Sequence, residues 1–154
     1  MTTTFQKTSG AIIGVSAASP ATFNPTGYGA LTFTALVDAE IMDFSGFDTV
    51  WDTESDNTWK QDDAADTKTR KKLGQPTLTL KYNKDNTAFH TIIETAEDST
   101  SAIISIEVTH ANGTDYRWFT AQVIGNNDKY GSGDQSLVTE IVFLQQTSVV
   151  RSNA

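Results

Sequence analysis

Hydrophobic and polar positions alternate along most of this chain, with the period of two that is typical of half-buried β-strands. Clear alternation predicts strands over residues 13–17, 31–37, 78–82 and 104–108. The stretch 41–51 alternates less regularly, and Gly46 within it predicts a bulge or bend. The pattern therefore indicates a fold that is mainly β.

One segment departs from this pattern and predicts a single helix. In DNTAFHTIIETAE, residues 85–97, apolar side chains recur at helical spacing, at Ala88, Phe89, Ile92, Ile93 and Ala96. Asp85 or Asn86 can serve as the N-cap by accepting from backbone N–H groups that lack a helical partner. The helix is short, so we expect it to lie across one face or opening of a sheet.

The C-terminal part predicts a β-meander. Asn112-Gly113 is typical of a two-residue hairpin turn, and a strand follows over residues 116–121. Residues 125–135, GNNDKYGSGDQ, predict a polar loop of eleven residues. The last strand, 137–144, has apolar residues on both faces, which indicates a central strand or one buried at an interface. Its candidate assembly residues are Leu137, Ile141 and Phe143.

Strands, one helix and further strands together indicate an α+β fold. We expect a mainly β, two-sheet β-sandwich or barrel with one flanking α-helix. The chain has 154 residues, enough for one domain with a core, and we expect residues 1–154 to form that domain.

Charge is concentrated in the stretch 48–74, which we expect to be a long charged loop between two strands. Ten of the 19 acidic residues fall between Asp38 and Asp66, and the basic run KTRKKLG follows immediately. If one run meets the other on a neighbouring copy, the contact is head-to-tail. Alternatively, the two runs are arms of a solvated hairpin and pair internally. The candidate contact residues are Asp52, Glu54, Asp56, Asp62, Asp63, Asp66, Lys68, Arg70, Lys71 and Lys72.

Composition narrows the classes of function. The net charge of −8 argues against tight binding to phosphate backbones, although an acidic surface suits a conduit through which DNA must slide. The sequence has no cysteine, so it forms no disulfides and has no thiolate chemistry. It also has no run of eighteen apolar residues that would predict a membrane-spanning helix.

The window 52–63, DTESDNTWKQDD, approaches the ligand spacing of an EF-hand calcium loop. However, Asn57 stands where that loop needs Gly, and Asp63 stands where it needs a bidentate Glu. Lys60 adds a positive charge, and no helical pattern flanks the window. We therefore interpret it as an acidic loop tip and expect no metal site.

Signatures of catalysis are missing from the sequence. His90 and His110 are the only histidines, neither has metal-ligand spacing, and His90 is interpreted as a satisfied structural residue. No GxSxG, P-loop or HExxH motif occurs. We expect no catalytic residues, no cofactor and no enzymatic activity. Four aromatic residues could stack on sugars or bases, although aromatics on strands are more often core or interface residues: Trp51, Trp59, Tyr116 and Trp118.

The order of the segments resembles that of the major tail tube proteins of long-tailed (siphovirus) bacteriophages, including the lambda-type tube domain. The likeness is carried by four segments that together cover nearly the whole chain: PATFNPTGYGALTFTALVDAEI, FDTVWDTESDNTWKQDDAADTKTRKKLGQPTLTLKY, NKDNTAFHTIIETAEDST and GTDYRWFTAQVIGNNDKYGSGDQSLVTEIVFL. We expect no C-terminal immunoglobulin-like domain of the kind that some members of that family carry.

The resemblance implies a two-sheet, barrel-like fold whose subunits form hexameric rings that stack into a tube. It implies a tape-measure protein in the lumen, later passage of DNA, and contacts with tail tip, initiator and terminator proteins. The long loop, residues 48–74 here, would bridge neighbouring subunits or rings. The protein would be made in the host bacterial cytoplasm and reside in the virion.

Two other interpretations remain open at this point. One is a tube protein of a related contractile or type VI secretion system. The other is a β-sandwich module that binds carbohydrate, which would need an aromatic platform on one face. In this sequence the aromatics are scattered through strands and loops.

Overall fold

The computed structural model describes residues 9–36, 41–47, 49–56 and 65–153. This part of the chain is mainly β. Its strands are β1 (Ile12–Ser16), β2 (Thr34–Ala35), β3 (Ile41–Ser45), β4 (Thr49–Asp56), β5 (Ala65–Leu73), β6 (Thr77–Lys81), β7 (Ile104–Thr109), β8 (Tyr116–Lys129), β9 (Val138–Gln145) and β10 (Val150–Ser152). Its α-helices are α1 (Pro25–Gly29) and α2 (Thr87–Glu97), and a 3₁₀ turn, Lys84–Asn86, leads into α2.

The described strands form two sheets, both antiparallel. The larger has eight strands in the order β2-β1-β7-β8-β9-β6-β3, and β10 pairs with β8 beside this path. The smaller is the hairpin β4-β5. Because β2 and β3 end the order without pairing with each other, the described strands do not close into a barrel. The expectation of a mainly β fold with two sheets is confirmed, and the second sheet is a hairpin.

The larger sheet curls around the core. Phe44 on β3 and Phe119 on β8 have ring centroids 6.3 Å apart, although β6 and β9 lie between their strands. In a flat sheet, strands three positions apart are separated by about 14 Å, so the sheet must bend to bring these rings together. The largest fully buried side chains include Phe89, Phe119, Phe143, Leu78, Leu80, Ile93, Ile106 and Ile141.

Helix α2 is confirmed and covers the core. It buries Phe89, Ile93 and Ala96 on the face that the apolar spacing predicts. The capping differs from the expectation, because Asn86 occupies the N-cap position without a side-chain capping bond. The Asn83 side chain instead accepts from the backbone N–H of Asp85 at 3.0 Å and starts the 3₁₀ turn that precedes α2.

The expectation of a single helix was wrong, because residues 25–29 form the one-turn helix α1. The Asn24 side chain accepts from the backbone N–H of Gly27 at 2.8 Å, and Pro25 follows at the first helical position. Proline has the backbone angle of a first helical turn, so an Asn-Pro pair starts a helix as readily as it marks a loop.

The polar loop expected over 125–135 was also wrong in its first half, since β8 continues to Lys129. A register shift between Val123 and Gly125 forms a bulge, after which β8 pairs with β9 through to Lys129. Backbone pairing with β9 keeps these polar residues in a strand. Side-chain contacts between the two strands add to it, since the Lys129 ammonium donates to Glu140 at 2.7 Å. The Thr139 hydroxyl likewise donates to Asp128 at 3.0 Å.

The long loop expected over 48–74 is largely a hairpin, because its described residues form β4 and β5. Conversely, the strand expected over 31–37 is short, and β2 has only two residues. The hairpin at Asn112-Gly113 is confirmed with a longer turn. Gly113 has a φ of 76°, and His110 donates its backbone N–H to Asp115 at 2.9 Å, which encloses residues 111–114.

Candidate assembly surfaces

The β4-β5 hairpin carries most of the residues that the charge pattern singled out, and a bulge decides where they lie. Trp51 pairs with Lys71, whereas Thr53 pairs with Lys68, so β5 has one residue more than β4 between these pairs. Thr69 lies within this bulge and donates its hydroxyl to the backbone oxygen of Asp52 at 3.1 Å. The extra residue shifts which side chains share a face.

One face of the hairpin carries an ion-pair cluster centred on Asp52. The Lys72 ammonium lies 2.9 Å from one carboxylate oxygen, and the Arg70 guanidinium lies 3.7 Å from the other. These groups are substantially exposed, so each pair contributes about 0–1 kcal/mol to stability. The described arms therefore pair internally, as one of the two interpretations of the charge pattern required.

The opposite face of the hairpin is built on Trp51. The Lys71 ammonium lies 5.1 Å from the centre of the Trp51 ring, and that of Lys68 lies 5.6 Å from it. Trp51 is nevertheless 39% exposed. Lys71 also donates to the Ser148 hydroxyl at 3.3 Å, which joins the hairpin to the segment between β9 and β10. We call Trp51, Lys68 and Lys71 the Trp51 face.

The structure describes the positions of only some of the remaining charged candidates. Glu54 is exposed on β4. Asp56 is the last residue of β4, and Asp66 is the second residue of β5. Asp62 and Asp63 lie outside the described residues. The calcium-like window 52–63 thus begins on a strand, and the Asp52 carboxylate contacts cationic side chains. In the described part of the chain, no group of three or more His, Cys, Asp or Glu residues could hold a metal ion.

The candidate assembly strand lies in the middle of the larger sheet. Strand β9 pairs with β6 on one side and with β8 on the other. Ile141 and Phe143 are buried in the core of the single chain, while Leu137 precedes the strand and is half-buried. The core therefore accounts for the burial of Ile141 and Phe143, and an intersubunit role for the three residues stays a prediction.

The edges of the larger sheet offer backbone groups for pairing. Strands β2 and β3 each have one hydrogen-bonded neighbour among the described strands. Strand β3 spans Ile41–Ser45, and its Met42 is 56% exposed. Exposed edges are templates for pairing with another chain, so natural proteins usually protect them or use them. These two edges are surfaces that the sequence did not mark individually.

The aromatic residues near the chain's first helix form a stack. Tyr28 and Trp118 lie 5.8 Å apart and nearly parallel, and Tyr116 continues the stack 5.2 Å from Trp118. Tyr28 and Trp118 are buried, and the Trp118 indole N–H donates to Glu107 at 2.8 Å. Their burial makes them core residues, so this stack is not the open platform that a carbohydrate-binding module would need.

His90 is buried between aromatic rings. Tyr82 lies 4.9 Å from it and Phe89 lies 5.7 Å from it, measured between ring centroids. The expectation that His90 is a satisfied residue was wrong, because its buried Nε2 atom has no hydrogen-bond partner among the described residues. Burial lowers the pKa of His90 below its ordinary value, and the carboxylates of Glu94 and Asp128 oppose that shift.

Some contacts on these surfaces could not be predicted from the sequence. The partnership of Lys68 and Lys71 around Trp51 depends on the β5 bulge, for which the charged run KTRKKLG gives no signal. Ser148 contacts Lys71 from a segment 77 positions further along the chain, a distance in sequence that no local pattern bridges.

Comparison with known proteins identifies the fold through solved structures. A chain of the anti-feeding prophage cap (AFP tube terminating cap) matches with a TM-score of 0.65 and 12% identity, covering 100% of this chain and 95% of that chain. A chain of the six-fold symmetrised AFP baseplate matches with a TM-score of 0.63 and 9% identity, covering 99% and 98%. A chain of the PVC sheath-tube complex in the extended state matches at 0.56 and 13%, covering 75% and 87%.

These likenesses show a shared fold, the one found in components of phage-tail-like contractile injection particles. No family model and no curated protein matches the sequence. In the described part of the chain, no helix is long and apolar enough to cross a membrane.

Proposed function

We propose that this protein is a structural subunit of the tube of a phage tail or tail-like particle. It performs no catalysis and acts by assembling with further copies of itself into rings that stack around a central channel. The observation that carries this proposal is the fold likeness over the full chain to chains of the AFP cap and baseplate.

Ring formation would use the two edges of the larger sheet. Strand β2 on one copy and strand β3 on the next are unpaired on their outer sides among the described strands, so neighbouring sheets could join. Because β2 and β3 are different surfaces, the contact is head-to-tail and closes into a ring when the rotation permits. By analogy with long-tailed phage tube proteins, we propose six copies per ring.

Ring stacking would use the charged hairpin. The hairpin is a separate two-stranded sheet with exposed apolar side chains at Val50 and Trp51 and exposed cationic side chains at Arg70 and Lys72. A single exposed contact of this kind is weak, but repetition around a ring multiplies it. The tape-measure protein, the tail tip and terminator proteins, and DNA in transit are the proposed partners of such a tube.

Sedimentation velocity of the purified protein over a wide range of concentration tests this proposal. We expect a monomer at low concentration and a species of six protomers, or larger stacks, as concentration rises. Assembly should also be accelerated by tail tip components, because many assemblies start on an initiator. A protein that stays monomeric at all concentrations and ignores tail components would contradict the proposal.

A second candidate function is that of a tube terminator. It is favoured by the likeness to the chain of the AFP tube terminating cap, which covers all of this chain. A terminator would form one ring and bind the end of a preformed tube without stacking on itself. Species that stop at a single ring, and that block the growth of tubes made by another subunit, would favour the terminator.

A further inference from the structure

The Trp51 face depends on the bulge in β5. Lys68 and Lys71 are three residues apart, a spacing that places side chains on opposite faces of a regular strand. The extra residue in β5 changes this, because Lys71 lies opposite Trp51 and Lys68 lies opposite Thr53, two positions further along β4. Both lysines therefore join Trp51 on one face, and bulges often re-aim side chains at binding surfaces.

The two faces of the hairpin differ in the groups that their cationic side chains contact. Arg70 and Lys72 both contact the Asp52 carboxylate, at 3.7 and 2.9 Å. The described contacts of Lys68 and Lys71 are with uncharged groups, namely the Trp51 ring and the Ser148 hydroxyl. The Trp51 face thus combines two ammonium groups with an indole ring that is 39% exposed. Aromatic and cationic side chains in this arrangement suit an acidic partner surface.

The charge distribution of the whole sequence indicates what that partner is. Residues 68–72 hold four of the 11 basic residues and none of the 19 acidic ones. The rest of the sequence therefore has 7 basic residues against 19 acidic ones. Outside β5, a second copy therefore has an excess of acidic over basic residues, and complementary charge steers an acidic surface toward the cationic Trp51 face.

We propose that the Trp51 face binds an acidic surface on a second copy of this chain. This inference rests on the proposed function and specifies which face of the hairpin makes the contact and with what chemistry. The cations of the Asp52 face are already paired with the Asp52 carboxylate, which leaves the contact to the Trp51 face. The contact is head-to-tail, because the Trp51 face and the acidic surface are different parts of the molecule.

Two double variants test the assignment, since each removes two positive charges from one face. The variant Lys68→Gln, Lys71→Gln removes both positive charges from the Trp51 face. The variant Arg70→Gln, Lys72→Gln is the matched control on the Asp52 face. We expect the first to raise the concentration needed for assembly at least about tenfold and the control to assemble like wild type. Circular dichroism should show both variants folded. Equal assembly by the two variants would overturn the inference while leaving the proposed function intact.

Zero-length carbodiimide crosslinking separates this inference from the wider proposal, because it captures weak contacts as well as stable rings. Equal amounts of isotopically light and heavy protein distinguish links between copies from links within one. We expect mixed-isotope links from Lys68 or Lys71 to carboxylates, while Lys72 links within one copy to Asp52. Mixed-isotope links confined to Lys72 would contradict the inference, as would their complete absence.

Binding of nucleic acid is the competing role for this face. A gel-shift assay with a single-stranded oligonucleotide at moderate salt measures it. We expect no shift with wild-type protein. A shift that disappears in the Lys68→Gln, Lys71→Gln variant would assign the face to nucleic acid and overturn the assignment to a second copy.

Discussion

At the scale of single residues, the burial of His90 makes the stability of the fold depend on pH. Its imidazole lies between the rings of Tyr82 and Phe89, and burial lowers its pKa below the ordinary value. The unfolded chain therefore binds a proton at a higher pH than the folded chain does. Stability falls as pH drops through about 6.5, the pKa of an exposed histidine, toward the lower pKa of the folded state.

The variant His90→Gln tests this dependence. Glutamine does not titrate, so we expect its free energy of unfolding to fall less than that of wild type between about pH 7 and pH 5. Urea denaturation at several pH values measures the difference, and the carboxylates other than Glu94 and Asp128 contribute equally to both proteins. The same pH slope in both proteins would show that His90 is not the responsible group.

Gly27 tests the packing of α1. A Cβ atom added there would lie 1.9 Å from the backbone oxygen of Thr22, whereas one added at Gly29 would meet nothing within 4 Å. We expect Gly27→Ala to destabilise the protein by about 1–3 kcal/mol, because the Thr22 backbone must move. Gly29→Ala is the matched control on the same helix and should be neutral or slightly stabilising. Thermal unfolding of both variants measures this, and equal melting temperatures would contradict the packing.

At the scale of elements, α2 stabilises the fold by its buried face. Ile93 is fully buried in the core, so Ile93→Ala should lower the free energy of unfolding by about 2–5 kcal/mol. Glu97 is exposed on the same helix, and Glu97→Ala should change it by less than about 0.5 kcal/mol. Urea denaturation measures both changes. A cost below about 1 kcal/mol for Ile93→Ala would mean that α2 is not docked as described.

Elements with a strong local pattern could be predicted from the sequence. Strands β6 and β7 bury the alternate positions that their apolar residues marked, and helix α2 buries Phe89, Ile93 and Ala96 of its five marked positions. In these segments burial on one side of the element decides the pattern, so the sequence records the structure directly.

Elements held by distant partners could not be predicted in this way. The end of β8 is polar and becomes a strand only because β9 pairs with it. Strand β5 is polar at every position between Ala65 and Leu73, and it is a strand because it pairs with β4. Its bulge determines which lysines share a face with Trp51, and no local signal marks that bulge. The residues of the charged stretch were therefore predictable as a group, but their division between two faces was not.

At the scale of the whole molecule, the described chain is an open curled sheet with two unlike edges and a separate charged hairpin. A fold that serves only as a monomer gains nothing from exposed strand edges, which are liabilities for aggregation. Repeated head-to-tail assembly gives both the edges and the hairpin a use. The proposed assembly of copies into rings and stacked tubes therefore accounts for both features.

Negative-stain electron microscopy of the purified protein at high concentration, with light scattering on the same sample, tests this proposed assembly most directly. We expect rings or tubes of uniform diameter with a central channel, and scattering that rises steeply above a threshold concentration. The Lys68→Gln, Lys71→Gln variant should show single rings or monomers under the same conditions. Uniform monomers at every concentration, with or without tail tip components, would rule out the proposed assembly.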